Sequence, residues 1–152
     1  DGEICVRGAT LMQGYWNSPE ATAFAIRDGW LHTGDVGHLD ADGWLYVVDR
    51  LKDLIIRNGF NVYPRDVEDV LLSHPSVAAA AVVGRPDPKV GEEVVAFVQL
   101  SSAAESCDLV AFAKERLGAY KYPREVRVVD AVPLTSVMKT DRKALRALLM
   151  SE

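Results

Sequence analysis

Charged residues in three short segments of this chain have types and neighbours that suit ligand chemistry. In the first, Asp35 follows Thr33 and Gly34, and the glycine lets the backbone place a carboxylate at the edge of a strand. A carboxylate accepts hydrogen bonds from two hydroxyls at once, which suits a vicinal diol such as that of ribose. On residue type alone, an ordinary turn aspartate is the simpler interpretation.

The second segment is a charged joint followed at once by a hairpin. Four of the five residues from Asp49 to Asp53 are charged; Arg50 could form a surface ion pair with Asp49, and Lys52 is by default a solvated loop lysine. The Asn58-Gly59 dipeptide that follows is the strongest short signal for a β-hairpin, because a type I′ turn needs positive φ at both central residues. The sequence therefore predicts a turn at Gly59, directly after a joint between two modules.

The third segment contains Lys139, close to the end of the chain. Lys139 is spaced from Arg142, Lys143 and Arg146 as i, i+3, i+4 and i+7, so one interpretation is a positive stripe along a final helix. Such a stripe would serve phosphate binding or only solubility.

The residues from Asp49 to Glu68 resemble the hinge motif of the acyl-adenylate-forming enzymes, which include acyl-CoA synthetases, firefly luciferase and the adenylation domains of peptide synthetases. The matching pattern is Asp-Arg-x-Lys-Asp-x-Ile-x-x-x-Gly-x-Asn-Val-Tyr-Pro-x-Asp-Val-Glu, and its ending is most similar to the fatty acyl-CoA ligases. Residues 33–35 are similar to the family's Thr-Gly-Asp motif, and residues 133–139 to its Pro-x-Thr-x-x-Gly-Lys motif. The resemblance covers nearly the whole chain, but only the last part of a family member.

The resemblance implies a role for each candidate residue. Asp35 would bind the ribose hydroxyls of a nucleotide, and Arg50 would face the same nucleotide. Lys52 would be the hinge whose backbone torsions change as a small domain rotates between two catalytic poses. Gly59 would let the pantetheine arm of CoA pass close to the backbone, and Lys139 would stabilise the charge that develops as a carboxylate attacks the α-phosphate of ATP.

The chain departs from the family pattern at Met138, where glycine is usual. If the glycine supplies a backbone conformation that methionine adopts only at a cost, the loop that positions Lys139 would be altered.

Residues 1–50 are predicted to be the β-rich end of a large domain. Ser18-Pro19 begins a helix that continues over Ala21–Ile26, since proline suits a first helical turn. Asp40–Gly43 is predicted to form a turn between two antiparallel strands. On its own, this segment is too small to form a stable core.

Residues 51–152 are predicted to form a compact α+β domain, with a mostly antiparallel sheet packed by helices. The first helix is predicted over Pro64–Ser73, the second from a capping Asp108 to Gly118, and the last from Asp141. The last helix is expected to bury three residues: Leu145, Leu148 and Leu149.

Beyond the hairpin at Asn58-Gly59, three further strands are predicted in this domain, over Val77–Val83, Glu93–Leu100 and Glu125–Val129. A loop over Gly84–Gly91 is expected between the first two. Because Val77–Val83 is almost continuously apolar, it suits the centre of a covered sheet better than an edge.

Composition excludes several classes of protein. The net charge of −5 argues against a nucleic-acid surface, which needs basic residues to neutralise phosphates. The longest apolar run is far shorter than the roughly 20 residues that cross a bilayer, and no leader pattern opens the chain, so we expect a cytoplasmic location. No metal site is expected: Cys5 and Cys107 share no metal-ligand spacing, and the three histidines have no metal partner at useful spacing.

The resemblance to the acyl-adenylate-forming enzymes implies that this chain is the C-terminal portion of an ATP-dependent acyl-CoA synthetase. The parent enzyme would convert a carboxylic or fatty acid, ATP and CoA into acyl-CoA, AMP and pyrophosphate through an acyl-adenylate. Mg²⁺ and most of the ATP would be bound by an N-terminal portion that this sequence lacks, so the fragment alone is expected to be inactive. The alternatives are a diverged, non-catalytic binding module and an adenylation domain that loads a carrier protein.

Overall fold

Two separate β-sheets organise the chain, and each belongs to its own unit. The computed structural model describes residues 1–150. It divides the chain into one unit from Asp1 to Lys52 and a second unit from Asp53 onward. The boundary predicted from the sequence, after residue 50, lies two residues before this division.

The N-terminal unit is a four-stranded sheet built around one long strand. Strand β3 pairs in antiparallel fashion with β1, β2 and β4. The elements are β1 (Gly2–Val6), α1 (Pro19–Ala25), β2 (Ile26–Arg27), β3 (Trp30–Leu39) and β4 (Leu45–Arg50). Helix α1 has proline in its first turn, as predicted, but ends one residue early because Ile26 begins β2 and pairs with Leu31.

The predicted turn between β3 and β4 is present. Oδ1 of Asp40 accepts the backbone N–H groups of Asp42 and Trp44, at 3.0 and 2.9 Å. These hydrogen bonds lower the pKa of Asp40, the one from Trp44 most strongly. Such local bonds let an aspartate close a turn without help from the rest of the fold.

The C-terminal unit is an α+β layer structure, which confirms the predicted fold class. A short 3₁₀ helix (Leu51–Asp53) precedes the hairpin of β5 and β6. The elements are β5 (Ile55–Arg57), β6 (Phe60–Val62), α2 (Pro64–Leu72), β7 (Val77–Asp87), β8 (Gly91–Leu100), α3 (Ser106–Arg116), β9 (Glu125–Val128) and α4 (Arg142–Met150). The strand order is β6-β5-β8-β7, and β9 pairs with β8 as the one parallel pair among the described strands.

Helices cover both faces of this second sheet. Alternate residues of β8 point to opposite faces: Val94, Ala96 and Val98 belong to one apolar cluster, and Val95 and Phe97 to another. The first cluster includes residues of α2 and α3, and the second includes Leu145 and Leu149 of α4. Strand β8 is therefore the centre of the core.

Two strand predictions were wrong. Strand β7 continues through Asp87, so the predicted loop over Gly84–Gly91 shrinks to the three residues 88–90. Strand β7 also lies at the edge of the sheet, although helices cover both of its faces. The edge position explains how Pro86 is tolerated within the strand, because a proline removes a ladder hydrogen bond that only a neighbouring strand would need.

Two helix predictions were also wrong in detail. Helix α3 begins at Ser106 with Glu105 at its N-cap, so Asp108 lies in the first turn instead of capping it. In α4, Leu145 and Leu149 are buried, but the side chain of Leu148 is 47% exposed. Leu145 and Leu149, four residues apart, lie one above the other on the buried side of α4, whereas Leu148 lies at the margin of that side.

Candidate functional site

Asp35 and Arg50, which are 15 residues apart in sequence, form a cross-strand pair between β3 and β4. The two residues lie opposite each other in the ladder, and Nε of Arg50 donates to Oδ1 of Asp35 at 2.8 Å. The backbone N–H of Arg50 donates to Asp49 at 2.7 Å. A carboxylate has about four acceptor positions and a guanidinium five donors, so each side chain keeps capacity for a ligand.

The segment Thr33-Gly34-Asp35 is tied to β1 by short polar contacts. The Thr33 hydroxyl donates to the carbonyl of Ile4 at 2.8 Å and accepts the N–H of Asp35 at 3.1 Å. The N–H of Gly34 donates to Oε1 of Glu3 at 3.2 Å. Gly34 has φ of +72°, a conformation that glycine adopts without strain. This conformation explains why the residue before Asp35 is a glycine.

A cavity of about 650 Å³ lies in the N-terminal unit next to this segment. Its lining includes His32, Thr33, Gly34, Arg50 and Lys52. The volume falls within the range of small-molecule sites, which is about 300–1,000 Å³.

Glu3 is a carboxylate that lines this cavity, and its charge is stabilised there. The hydrogen bond from His32 lowers the pKa of Glu3 most strongly. Burial is the second-largest effect and raises the pKa, whereas the N–H of Gly34 and the guanidinium of Arg27 lower it further, so that the net pKa lies below its ordinary value. Glu3 is therefore ionised at neutral pH and holds Gly34 in place.

Lys52 is exposed in the 3₁₀ helix between the two units. The next residue, Asp53, is buried, and Nη2 of Arg146 in α4 donates to its Oδ1 at 3.0 Å. The first residue of the C-terminal unit is thus fixed to that unit by an ion pair, whereas the side chain of Lys52 stays in solvent.

The hairpin predicted at Asn58-Gly59 is confirmed. Asn58 has φ of +51° and Gly59 has φ of +78°, as a type I′ turn requires, and Arg57 pairs with Phe60 across it. A Cβ placed on Gly59 would meet no atom within 4 Å. The turn therefore requires glycine at residue 59 because of its backbone conformation, since there is room for a side chain.

Lys139 lies in a tight turn just before α4. The N–H of Thr135 donates to the carbonyl of Lys139 at 2.7 Å, and Leu134 and Thr140 form an isolated antiparallel bridge. Lys139 is exposed, and none of the described carboxylates forms a salt bridge with it. The turn presents its ammonium group to solvent.

Met138 adopts a backbone conformation that favours glycine. Its φ is +58°, and its side chain is 76% exposed. The glycine that is usual at this position of the family motif predicts such a conformation. The turn still closes with methionine, since the N–H of Met138 donates to the carbonyl of Thr135 at 2.9 Å.

The positive stripe considered for the last helix is not present as such. Lys139 precedes α4, Arg142 pairs with Glu68 at 2.7 Å, and Arg146 pairs with Asp53. Two of the four basic residues therefore serve the packing of the C-terminal unit.

The structure brings together Asp35 and Arg50 in the N-terminal unit, and it places Gly59 and Lys139 in the C-terminal unit. It also gathers a group that sequence spacing did not reveal: Glu3, Cys5 and His32 offer ligand atoms within 4.8 Å of one another. Their closeness depends on strand register over nearly 30 residues, for which the sequence carries no local signal. None of the described helices is long and apolar enough to span a membrane.

Comparison with protein families and curated sequences gives a consistent result. Residues 66–139 match the family model described as AMP-binding enzyme C-terminal domain. The chain is 50% identical to the medium/long-chain-fatty-acid–CoA ligase FadD8 of Mycobacterium tuberculosis, in a match that covers 96% of this chain and 27% of that ligase.

Solved structures show the same likeness in three dimensions. The o-succinylbenzoate CoA synthetase MenE of Bacillus subtilis, in complex with its acyl-adenylate intermediate, matches with a TM-score of 0.87 and 44% identity over 95% of this chain and 30% of that one. A second MenE structure holds ATP and a magnesium ion. The amide bond synthetase McbA of Marinactinospora thermotolerans matches with a TM-score of 0.87 and 46% identity, over 97% of this chain and 30% of that one. The chain thus spans less than a third of the length of each of these relatives.

Proposed function

Because this chain belongs to the acyl-adenylate-forming (AMP-binding) enzyme family, we propose that it is the C-terminal part of an ATP-dependent acyl-CoA synthetase. The parent enzyme joins a carboxylic acid to ATP, releases pyrophosphate, and transfers the acyl group from the adenylate to the thiol of CoA. The observation that carries the proposal is that matches to CoA ligases extend over 95–96% of the chain, so they include both units and all five candidate residues.

Lys139 is the catalytic residue of the first step in this proposal. Attack of the acid's carboxylate on the α-phosphate brings two negative groups together, and charge grows on the phosphate oxygens as pyrophosphate leaves. An ammonium group that contacts both groups holds the reactants together and stabilises this charge in a site from which water is excluded. The exposed turn around Lys139 suits this role, because no described carboxylate neutralises the lysine.

Asp35 and Arg50 are proposed to bind the nucleotide. Asp35 is positioned by Thr33 and Gly34, so its carboxylate can accept both hydroxyls of a ribose. The ion pair with Arg50 fixes the orientation of that carboxylate before the ligand arrives. The remaining donors of the guanidinium suit the planar oxygen and nitrogen groups of a nucleotide better than a lysine would.

Lys52 is the proposed hinge. A domain that rotates between two poses needs a short segment whose backbone torsions change while the flanking parts stay rigid. Asp53, held by Arg146, provides a rigid start to the C-terminal unit. We propose that rotation at Lys52 moves Lys139 away from the active site of the parent enzyme and brings the hairpin at Gly59 toward it. Gly59 then lets the pantetheine arm of CoA pass near the backbone.

The chain itself is not proposed to hold Mg²⁺. Magnesium prefers oxygen ligands, whereas the one cluster of three ligating side chains among residues 1–150 includes a thiol and an imidazole. Mg²⁺ and most contacts to ATP are assigned to the preceding part of the parent enzyme, and so is the acid pocket. The fragment is therefore proposed to be inactive alone.

The likeness to the amide bond synthetase McbA supports a second candidate in which an amine replaces CoA as the acyl acceptor. An adenylation domain that loads a carrier protein, and a non-catalytic module, are further alternatives from the sequence.

An acceptor assay on the full-length enzyme that carries these residues distinguishes these possibilities. With ATP, Mg²⁺ and a panel of carboxylic acids, we expect acid-dependent release of pyrophosphate, followed by acyl-CoA formation when CoA is added. Product formation with amines or a carrier protein but not with CoA would replace the proposal. No acid-dependent release of pyrophosphate with any acid would favour the non-catalytic module.

A further inference from the structure

Three side chains with metal-binding chemistry meet between β1 and β3. Nδ1 of His32 lies 2.7 Å from Oε2 of Glu3 and 3.5 Å from Sγ of Cys5. All three residues are partly buried, with side-chain exposures of 24% for His32 and 21% for Glu3. A carboxylate, a thiol and an imidazole are three of the side-chain ligands that zinc binds.

The strand pairing explains why these groups converge. Cys5 lies directly opposite His32 in the ladder, and Glu3 is two residues before Cys5 on the same strand. Residues two apart share a face, and an irregularity of register between Glu3 and Cys5 adjusts their separation. The donor groups therefore project from paired strands, which hold ligands more precisely than loops do.

Contacts behind the cluster orient the carboxylate. Oε1 of Glu3 accepts the N–H of Gly34, which leaves Oε2 directed at His32. The guanidinium of Arg27 lies 3.7 Å from the same oxygen, but its side chain is 49% exposed, so solvent screens its charge. Outer contacts of this kind are what fix the ligands of known metal sites.

We propose that Glu3, Cys5 and His32 form a binding site for a zinc ion, with water as the fourth ligand. In a tetrahedral zinc site, sulfur and nitrogen ligands are about 3.6 Å apart and nitrogen and oxygen ligands about 3.4 Å apart. The sulfur to nitrogen distance of 3.5 Å already fits. The oxygen to nitrogen contact of 2.7 Å has to widen by less than 1 Å, as the ion takes the place of the proton between these two atoms.

The charge of the cluster also fits a divalent ion. Binding releases the thiol proton of Cys5 and leaves His32 neutral with its proton on Nε2, so one thiolate and one carboxylate balance the two positive charges of zinc. Calcium and magnesium prefer oxygen ligands, so the thiol and imidazole select a transition metal. None of the five candidate residues Asp35, Arg50, Lys52, Gly59 and Lys139 is a ligand of this site. The metal proposal therefore does not depend on the proposed function.

Cobalt(II) is the probe of choice because it reports both geometry and sulfur ligation. The reduced, metal-free full-length enzyme that carries these residues, titrated with Co²⁺, is expected to develop a sulfur-to-metal charge-transfer band and the intense visible bands of a tetrahedral site. Zn²⁺ should displace the cobalt and bleach these bands. The Cys5→Ser variant should lose the charge-transfer band, and the Glu3→Gln and His32→Ala variants should bind Co²⁺ at least about tenfold more weakly.

Matched variants provide the controls. Cys107→Ser removes the other free cysteine of this chain and His38→Ala removes the other histidine of this sheet, and both variants should bind cobalt as the unmodified enzyme does. Equal loss of the band in the Cys5 and Cys107 variants, or cobalt binding without any sulfur band, would overturn the proposal.

A measurement on the unmodified protein tests the proposal even if the variants fail to fold. Zn²⁺ should slow alkylation of Cys5, measured by mass spectrometry of its peptide, and a chelator should restore the rate. Cys107, which is exposed in the C-terminal unit, should react at the same rate throughout. Alkylation of Cys5 that is insensitive to Zn²⁺ would contradict the site.

Discussion

Met138 shows how one residue can carry a local conformational cost next to Lys139, the proposed catalytic residue. A non-glycine residue in the left-handed region costs about 1–2 kcal/mol relative to ordinary backbone conformations. Glycine avoids this strain but loses about 0.5–1 kcal/mol through its greater freedom in the unfolded chain. Since φ of Met138 is +58°, the strain with methionine is larger than the entropic cost of glycine. The turn that holds Lys139 is therefore less stable with methionine than it would be with glycine.

Met138→Gly is therefore expected to stabilise the C-terminal unit by up to about 1 kcal/mol. Met138→Ala is the matched control, and it should change stability little because the Met138 side chain is 76% exposed. Urea denaturation of the three chains measures the difference. A glycine variant less stable than the alanine variant would show that the turn is not strained.

The ion pair between Arg57 and Glu93 is the most buried of the salt bridges among the described residues. Their side chains are 10% and 13% exposed, and Nε of Arg57 donates to Oε1 of Glu93 at 2.7 Å. Burial raises the pKa of Glu93, but hydrogen bonds from Arg57 and from the N–H of Val94 lower it, and the net pKa lies below its ordinary value of 4.5. The pair joins β5 to β8 next to the turn of the hairpin.

A lowered pKa in the folded state makes the stability contributed by Glu93 dependent on pH. The contribution is complete above the unfolded-state pKa, near 4.5, and is lost as the pH falls through the lower folded-state pKa. At neutral pH, Glu93→Gln should destabilise the unit by about 3 kcal/mol, because it leaves Arg57 buried without its charge partner. The difference in free energy of unfolding between the unmodified chain and the Glu93→Gln variant, measured by urea denaturation, should disappear in acid. A difference that does not change with pH would contradict the assignment.

At the scale of elements, local signals predicted turns well and long-range pairing poorly. The Asn58-Gly59 hairpin and the Asp40 turn follow from residues that are adjacent in sequence, and both are present. The length and edge position of β7 depend on its partner β8, and Pro86 within the strand looked like a loop residue. The pairing of Asp35 with Arg50 likewise arises from the register of two strands, which no local pattern encodes.

The hinge at Lys52 is an element whose proposed role is mechanical. Lys52→Pro fixes φ near −65° and should hold one pose, so one half-reaction of the full-length enzyme is lost while the other persists. Lys52→Ala is the control: the side chain is exposed, so both half-reactions should be retained. Separate assays of adenylation and thioester formation provide the test. If both half-reactions keep their normal rates in the proline variant, Lys52 is not a hinge.

At the scale of the molecule, the two units differ in how much apolar surface they bury. Among residues 1–52, the buried hydrophobic residues are Ala25 and Val36, whereas Trp16, Phe24 and Trp44 are more than two-thirds exposed. The second unit has a continuous core on both faces of its sheet. This difference agrees with the prediction that the first segment is too small for a core of its own.

Residues 53–152 expressed alone are therefore expected to unfold cooperatively, and residues 1–52 alone to show no cooperative transition. Thermal unfolding followed by circular dichroism distinguishes the two outcomes, and the intact 152-residue chain serves as the reference. A cooperative transition in the isolated first segment would contradict the assignment of its exposed apolar surface to a larger domain.

The most direct test of the central claim is the effect of Lys139→Ala on the two half-reactions of the full-length enzyme. Acid-dependent exchange of pyrophosphate into ATP measures adenylation, and transfer from a supplied acyl-adenylate to CoA measures thioester formation. Loss of the ammonium group should reduce adenylation by about 10²–10³-fold and leave thioester formation unchanged. Lys143→Ala, an exposed lysine on α4, should alter neither. Equal losses in both half-reactions, or unchanged adenylation, would contradict the role assigned to Lys139.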